Sequence, residues 1–115
     1  METERLETRE VSLHCVLGPP AGPPLVLLHG LFDRWQSFQA LVPALSTRWQ
    51  IHAFDLRGHG ASGRTPEAYR PIDYGRDAEE FLLRRVQEPA VLLGHSGGAF
   101  CALWLAARLP SRVRA

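Results

Sequence analysis

The stretch of this chain best suited to chemistry is Gly94-His95-Ser96-Gly97-Gly98. It matches Gly-x-Ser-x-Gly, in which a sharp strand-to-helix turn lifts a serine hydroxyl above a sheet as a nucleophile for acyl transfer. The glycines have a mechanical reason, because a turn this tight crowds strand and helix against the residues beside the serine. A five-residue string is weak alone, and context supplies the weight. The apolar run Ala90-Val91-Leu92-Leu93 leads directly into it, and Ala102, Leu105, Ala106 and Leu109 follow at helical spacing.

Two further segments end strands in reactive residue types. Leu25-Val26-Leu27-Leu28 runs into His29-Gly30-Leu31-Phe32, and Ile51 to Phe54 runs into Asp55-Leu56-Arg57-Gly58-His59-Gly60-Ala61-Ser62. Within the latter, Gly58 to Gly63 also fits the dinucleotide fingerprint Gly-x-Gly-x-x-Gly. That fingerprint must open into a helix, whereas Arg64-Thr65-Pro66 and Pro71 continue a loop, so the dinucleotide reading fails. His29 is expected to support its loop and His59 its turn; His14 and His52 read as surface or edge-strand residues. His95 adjoins Ser96 across a turn that sends neighbouring side chains in different directions, which argues against it as the base. Asp55 and Asp77 precede the serine and read as hydrogen-bonding residues. No His/Cys/Asp/Glu spacing suggests a metal, and no cofactor is implied.

The elements that must hold these residues alternate. Val11, Leu13, Cys15 and Leu17 show period 2, and a strand around Thr3 to Thr8 is placed to pair with them. Pro and Gly between Gly18 and Pro24 interrupt the chain before the run at Leu25 to Leu28, whose unbroken apolar character suits a strand covered on both faces. Trp35, Phe38, Leu41, Val42 and Leu45 predict a first crossover helix, bent or shortened by Pro43. Tyr74, Ala78, Phe81, Leu82 and Val86 predict a second, with Pro71 in the first turn and Asp73 as cap. Three strand–helix alternations argue for a parallel sheet with helices on both faces.

Composition excludes several alternatives. The 115 residues are 45% hydrophobic and 22% charged, with 13 basic and 12 acidic residues and a net charge of +1. Neither sign forms a run suited to nucleic acid or a membrane surface. Every basic residue is Arg, so a Walker A lysine or a Schiff base is ruled out. Met1 to Glu10 lacks the apolar core of a signal peptide. Cys15 and Cys101 show no pairing motif and read as free thiols, which points to a cytoplasmic setting.

Together, the three strand-end segments resemble the successive motifs of the α/β-hydrolase superfamily, in the same order, from about Val11 to Ala115. The resemblance implies a three-layer α/β/α sandwich with a mostly parallel central sheet and an antiparallel N-terminal hairpin. It implies that Ser96 is the nucleophile and that the backbone N–H groups of Leu31 and Gly97 form the oxyanion hole. It places the triad acid and histidine at later strand ends, so residues 1–115 are expected to be the N-terminal portion of one domain, truncated after the helix that follows the nucleophile, with the strand at Ala90 to Leu93 left as a bare edge. Relatives acting on epoxides have Asp where Ser96 stands, which argues against that chemistry. The expected activity is hydrolysis of a carboxylic ester or related acyl bond in a small-molecule substrate. Phe32 and Trp35 are large and apolar enough to wall its pocket, with His95 adjacent. The alternative is a ligand-binding or receptor-like member without turnover, and fold alone does not separate the two.

Overall fold

The period-2 pattern around Leu13 and Cys15 buries one side of a strand, and the chain turns back on itself to build it. The computed structural model describes residues 1–115, beginning with strands β1 (Glu2–Glu7) and β2 (Ser12–Leu17). They form an antiparallel hairpin in which Leu6 faces Leu13. The fully buried β3 (Pro24–Leu28) is followed by a 3₁₀ segment (Trp35–Leu41), α1 (Val42–Leu45) and β4 (Gln50–Phe54). Then come α2 (Pro71–Arg85), β5 (Val91–Gly94), α3 (Gly97–Arg108) and a short 3₁₀ turn (Pro110–Arg112).

The five strands form one sheet in the order β1-β2-β4-β3-β5. β3 pairs in parallel with both β4 and β5, while β2 joins β4 antiparallel. Side chains alternate along β3, so Val26 and Leu28 enter one core with Phe54, Phe81, Leu82, Cys101 and Leu105, beneath α2 and α3. Leu25 and Leu27 enter the other with Ile51, Ala53, Trp35 and Phe38. The result is the three-layer α/β/α architecture expected of the α/β-hydrolase type, with its antiparallel N-terminal hairpin.

Several local expectations are corrected. The first crossover is not one α-helix. Trp35, Phe38 and Leu41 are spaced by three, the 3₁₀ period that keeps them eclipsed, and Pro43 sits in the first turn of α1, where its missing N–H costs nothing. Asp73 lies three residues inside α2 rather than at its cap, and its carboxylate accepts the backbone N–H of Arg70 at 2.9 Å. Ala106 is exposed on α3; the buried stripe is Gly98, Cys101 and Leu105. His52 is buried, because β4 is an inner strand.

The outer side of β5 is not bare either. Ala90 N–H donates to Arg112 O at 2.9 Å, Arg114 N–H to Ala90 O at 2.8 Å and Leu92 N–H to Ala115 O at 2.8 Å, with a parallel bridge between Ala90 and Val113. A buried guanidinium ties the layers: Arg57 binds both carboxylate oxygens of Asp77 on α2, at 2.6 and 2.8 Å, and Glu10 at 3.1 Å. The bond to Asp77 raises Arg57 above its already high range, so its charge is permanent. Burial in turn pushes Asp77 upward against the pull of Arg57. Cys15 and Cys101 are buried free thiols, both pushed up to about 12 by desolvation.

Candidate active site

β5 delivers the chain into a turn fixed by main-chain bonds: His95 N–H donates to Leu28 O at 3.0 Å, and Gly98 N–H returns to His95 O at 2.9 Å. Between them Ser96 has φ 55 and ψ −116, a strained conformation for a residue with a side chain, held by the packing around it. The crowding inferred from the glycines is present. A Cβ on Gly94 would lie 2.4 Å from Gly98 O, and one on Gly98 would lie 1.9 Å from Leu28 O. Glycine is therefore what lets α3 start directly against β3. Ser96 and His95 are both exposed.

The loop after β3 comes alongside. Gly30 packs under the turn, its Cβ position 3.1 Å from both His95 O and Ser96 Cβ. Gly97 abuts Leu31, whose backbone N lies 3.3 Å from the Cβ position of Gly97. Gly97 opens α3, so its N–H has no acceptor within the helix. Leu31 N–H donates to no protein acceptor. The fold thus brings together Ser96 and two uncommitted backbone donors from separate loops.

Two buried groups fix that loop. His29 is fully buried and bridges, its Nδ1 at 2.7 Å from Gly30 O while Nε2 accepts Leu56 N–H at 2.9 Å. An accepting Nε2 puts the proton on Nδ1, and burial lowers the ring's pKa below 6.5, which keeps it neutral. Asp55 accepts Trp35 N–H and Ala61 N–H, both at 2.9 Å, one on each carboxylate oxygen. These are supporting roles, as the sequence suggested for both residues. His59 is bonded to Arg57 O at 2.9 Å.

The other expected site residues separate. Phe32 is 98% exposed with φ 66 and stands at the mouth of a cleft of about 820 Å³. Trp35 is only 7% exposed, packs in the core with Leu25 and Phe38, and lines neither this cleft nor the apolar one beside it. Neither His95 nor Ser96 is among the lining residues of the two clefts at this end of the sheet, although Gly97, the next residue, is. An apolar cleft of about 460 Å³ contains Leu31 and Gly97, with Leu56, Tyr69, Tyr74 and Phe100 around them. Sequence reasoning missed those four. Tyr74 belongs to the apolar stripe that predicts the second helix; a tyrosine in such a stripe, with a polar tip to satisfy, is the signal that points to a cleft edge.

The sheet order, the strained serine between β5 and α3, and the paired loops define an α/β-hydrolase fold. A family model for the alpha/beta hydrolase fold matches residues 23–115, and the chain belongs to that family. Among its relatives, the magnesium-chelatase 30 kDa subunit of Rhodobacter capsulatus is 38% identical over 96 residues, 81% of this chain and 33% of that protein. A pimeloyl-[acyl-carrier protein] methyl ester esterase of Neisseria meningitidis is 36% identical over 96 residues, 84% of this chain and 35% of that protein. The crystal structure of an alpha/beta hydrolase from Novosphingobium aromaticivorans superposes with a TM-score of 0.89 at 28% identity, covering 99% of this chain and 42% of that one. The chain spans about a third of the length of the curated relatives it matches. No helix is long and apolar enough to cross a membrane.

Proposed function

We propose that this chain carries the nucleophile and oxyanion half of a serine hydrolase acting on a carboxylic ester or related acyl bond. The observation that carries the reading is Ser96 at φ 55 on the β5–α3 turn, with the unbonded N–H groups of Leu31 and Gly97 beside it. In this reading Ser96 Oγ attacks the scissile carbonyl carbon and its proton passes to a base. The carbonyl oxygen takes up the negative charge between the two N–H groups, and the leaving alkoxide departs as the acyl-enzyme forms. Water then hydrolyses the acyl-enzyme. A fixed backbone donor at such an oxyanion is worth roughly 3 kcal/mol of barrier.

His29 and His59 are committed to Gly30, Leu56 and Arg57, so the base is assigned elsewhere. The family resemblance puts the histidine and its acid at later strand ends, outside residues 1–115. The substrate is a small acyl compound lodged against Leu31 and Phe100, and two buried thiols fit a cytoplasmic setting. The likeness to an ester hydrolase supports the bond type.

The test uses the longest reading frame that carries this chain. Fluorophosphonate should label it at Ser96, and Ser96→Ala should abolish labelling and lower ester turnover by at least ~10³-fold. Residues 1–115 made alone should stay unlabelled, because a serine hydroxyl without a base is a weak nucleophile. Full activity in Ser96→Ala, or robust turnover by residues 1–115, would overturn the proposal.

A further inference from the structure

The larger cleft has no part in the acyl step, yet it adjoins the apolar one: Tyr69 and Tyr74 line both. Its wall holds two guanidinium groups, Arg34 and Arg64. The chain contains six ion pairs and neither arginine enters any of them. Arg64 donates only to a main-chain oxygen, that of Gly58. The one acidic residue at the wall is Asp33, whose Oδ1 already accepts Arg34 N–H at 2.9 Å. Two guanidinium groups against that single carboxylate leave the lining with an excess of positive charge, and neither arginine is held in an ion pair.

Its other features fit a place built for a ligand. Phe32 holds φ 66 at the mouth in a turn closed by Asp33 N–H to Gly30 O at 3.2 Å, and strain of this kind persists where the surroundings impose it. Tyr69 is anchored, its hydroxyl accepting Thr65 N–H at 2.9 Å and donating to Thr65 O at 3.1 Å. A guanidinium presents forked donors that match the oxygens of a carboxylate or phosphate.

Resting on the acyl-hydrolase reading, we propose that the substrate carries a terminal anion, which Arg34 and Arg64 bind while its scissile carbonyl lies at Ser96. The substrate class is then an acyl ester bearing a second, anionic end, with the two tyrosines along the path between. Carboxylate and phosphate share the recognising chemistry, and the experiment separates them.

The longest reading frame carrying this chain is assayed with three esters of matched length: 4-nitrophenyl hexanoate, mono-4-nitrophenyl adipate and 4-nitrophenyl 6-phosphonohexanoate. The readout is the ratio of kcat/KM for each anionic ester to that for the neutral one, so a general loss of activity cancels. The wild-type ratio should exceed one for at least one anion, and its higher value names the source. In Arg34→Gln/Arg64→Gln the ratio should fall by about tenfold and lose its dependence on salt. An unchanged ratio overturns the proposal. Calorimetric binding of adipate to the Ser96→Ala protein, with and without the two arginine substitutions, reads the cleft without any chemistry. Binding lost with the arginines supports it even where no ester is hydrolysed; equal binding, or none to the protein with both arginines intact, overturns it. Failure of the acyl reading is seen separately, as no hydrolysis of the neutral ester.

Discussion

Replacing Gly98 by alanine tests how closely the elbow is packed. In a helix the change would ordinarily help by about 1 kcal/mol, since glycine is the poorer helix former. Here the new methyl would stand 1.9 Å from Leu28 O and 2.7 Å from His29 O. The first distance is about 1.5 Å short of ordinary van der Waals contact. Both obstacles are main chain, Leu28 at the end of β3 and His29 directly after it, and β3 is paired on each side with β4 and β5, so they cannot swing away as a side chain would. Overpacking of even a methylene costs roughly 1–3 kcal/mol. A clash with main chain at an inner strand belongs at the upper end or beyond, leaving a net loss of about 2–3 kcal/mol after the helix gain. Gly97→Ala is the control. Its methyl meets Leu31 Cγ at 3.1 Å, a movable side-chain atom, with Leu31 N next at 3.3 Å. Urea titration of the longest reading frame carrying this chain should place Gly98→Ala well below wild type. Gly97→Ala should stay within about 1 kcal/mol while losing ester turnover, through crowding at Leu31 N–H. Gly98→Ala as stable as wild type would refute the described approach of α3 to β3.

Three further outcomes follow from buried polar groups. Burial lowers the pKa of both His29 and His52 below 6.5, so the unfolded chain binds protons that the folded one refuses. Their contribution is complete above about pH 6.5 and declines as pH falls below it; melting temperature followed from pH 8 to 5 should drop, His52→Gln should flatten part of the drop, and a rise on acidification would count against the assignment. Arg57→Met strands the Asp77 carboxylate and should cost about 3–5 kcal/mol in urea titration, whereas Arg57→Met with Asp77→Leu should recover most of it. Asp55→Ala removes the acceptor of Trp35 N–H and Ala61 N–H, at roughly 1–3 kcal/mol for the buried Trp35 donor and less for Ala61, which is exposed to water. Hydrogen exchange at those two amides should accelerate, and unchanged protection there would show that Asp55 is not what holds the two loops.

Local signals carried the sheet strands and the serine turn. Leu25 to Leu28 is apolar on both faces because both faces are covered, and the glycines around Ser96 are demanded within five residues of it. Features that depend on distant segments escaped. Nothing near His52 indicates that β2 and β3 will flank its strand, and nothing near Arg57 points to Asp77 or Glu10. Trp35 illustrates the same limit: its position after the loop that follows β3 suggests a pocket wall, but the 3₁₀ turn rotates it into the core beside Phe38. The two clefts draw on residues 31–34, 56–74 and 97–100 at once, a gathering that periodicity along the chain does not encode. The pairing of β5 with residues 112–115 was missed because Val113 alone supplies an apolar strand signal there.

The two deprotonation-resistant thiols turn the protein into its own reporter of opening. Thiol reagents attack the thiolate, and with both groups pushed up to about 12 and buried, labelling at neutral pH waits for the surrounding structure to part. Cys15 lies on β2 in the N-terminal hairpin and Cys101 on α3, one turn past Ser96. Mass spectrometry of alkylated peptides over time would therefore give two clocks in one molecule, one for hairpin detachment and one for release of the helix behind the serine. Equal rates would mean that the hairpin and the helix, whose thiols share one core, open as a unit.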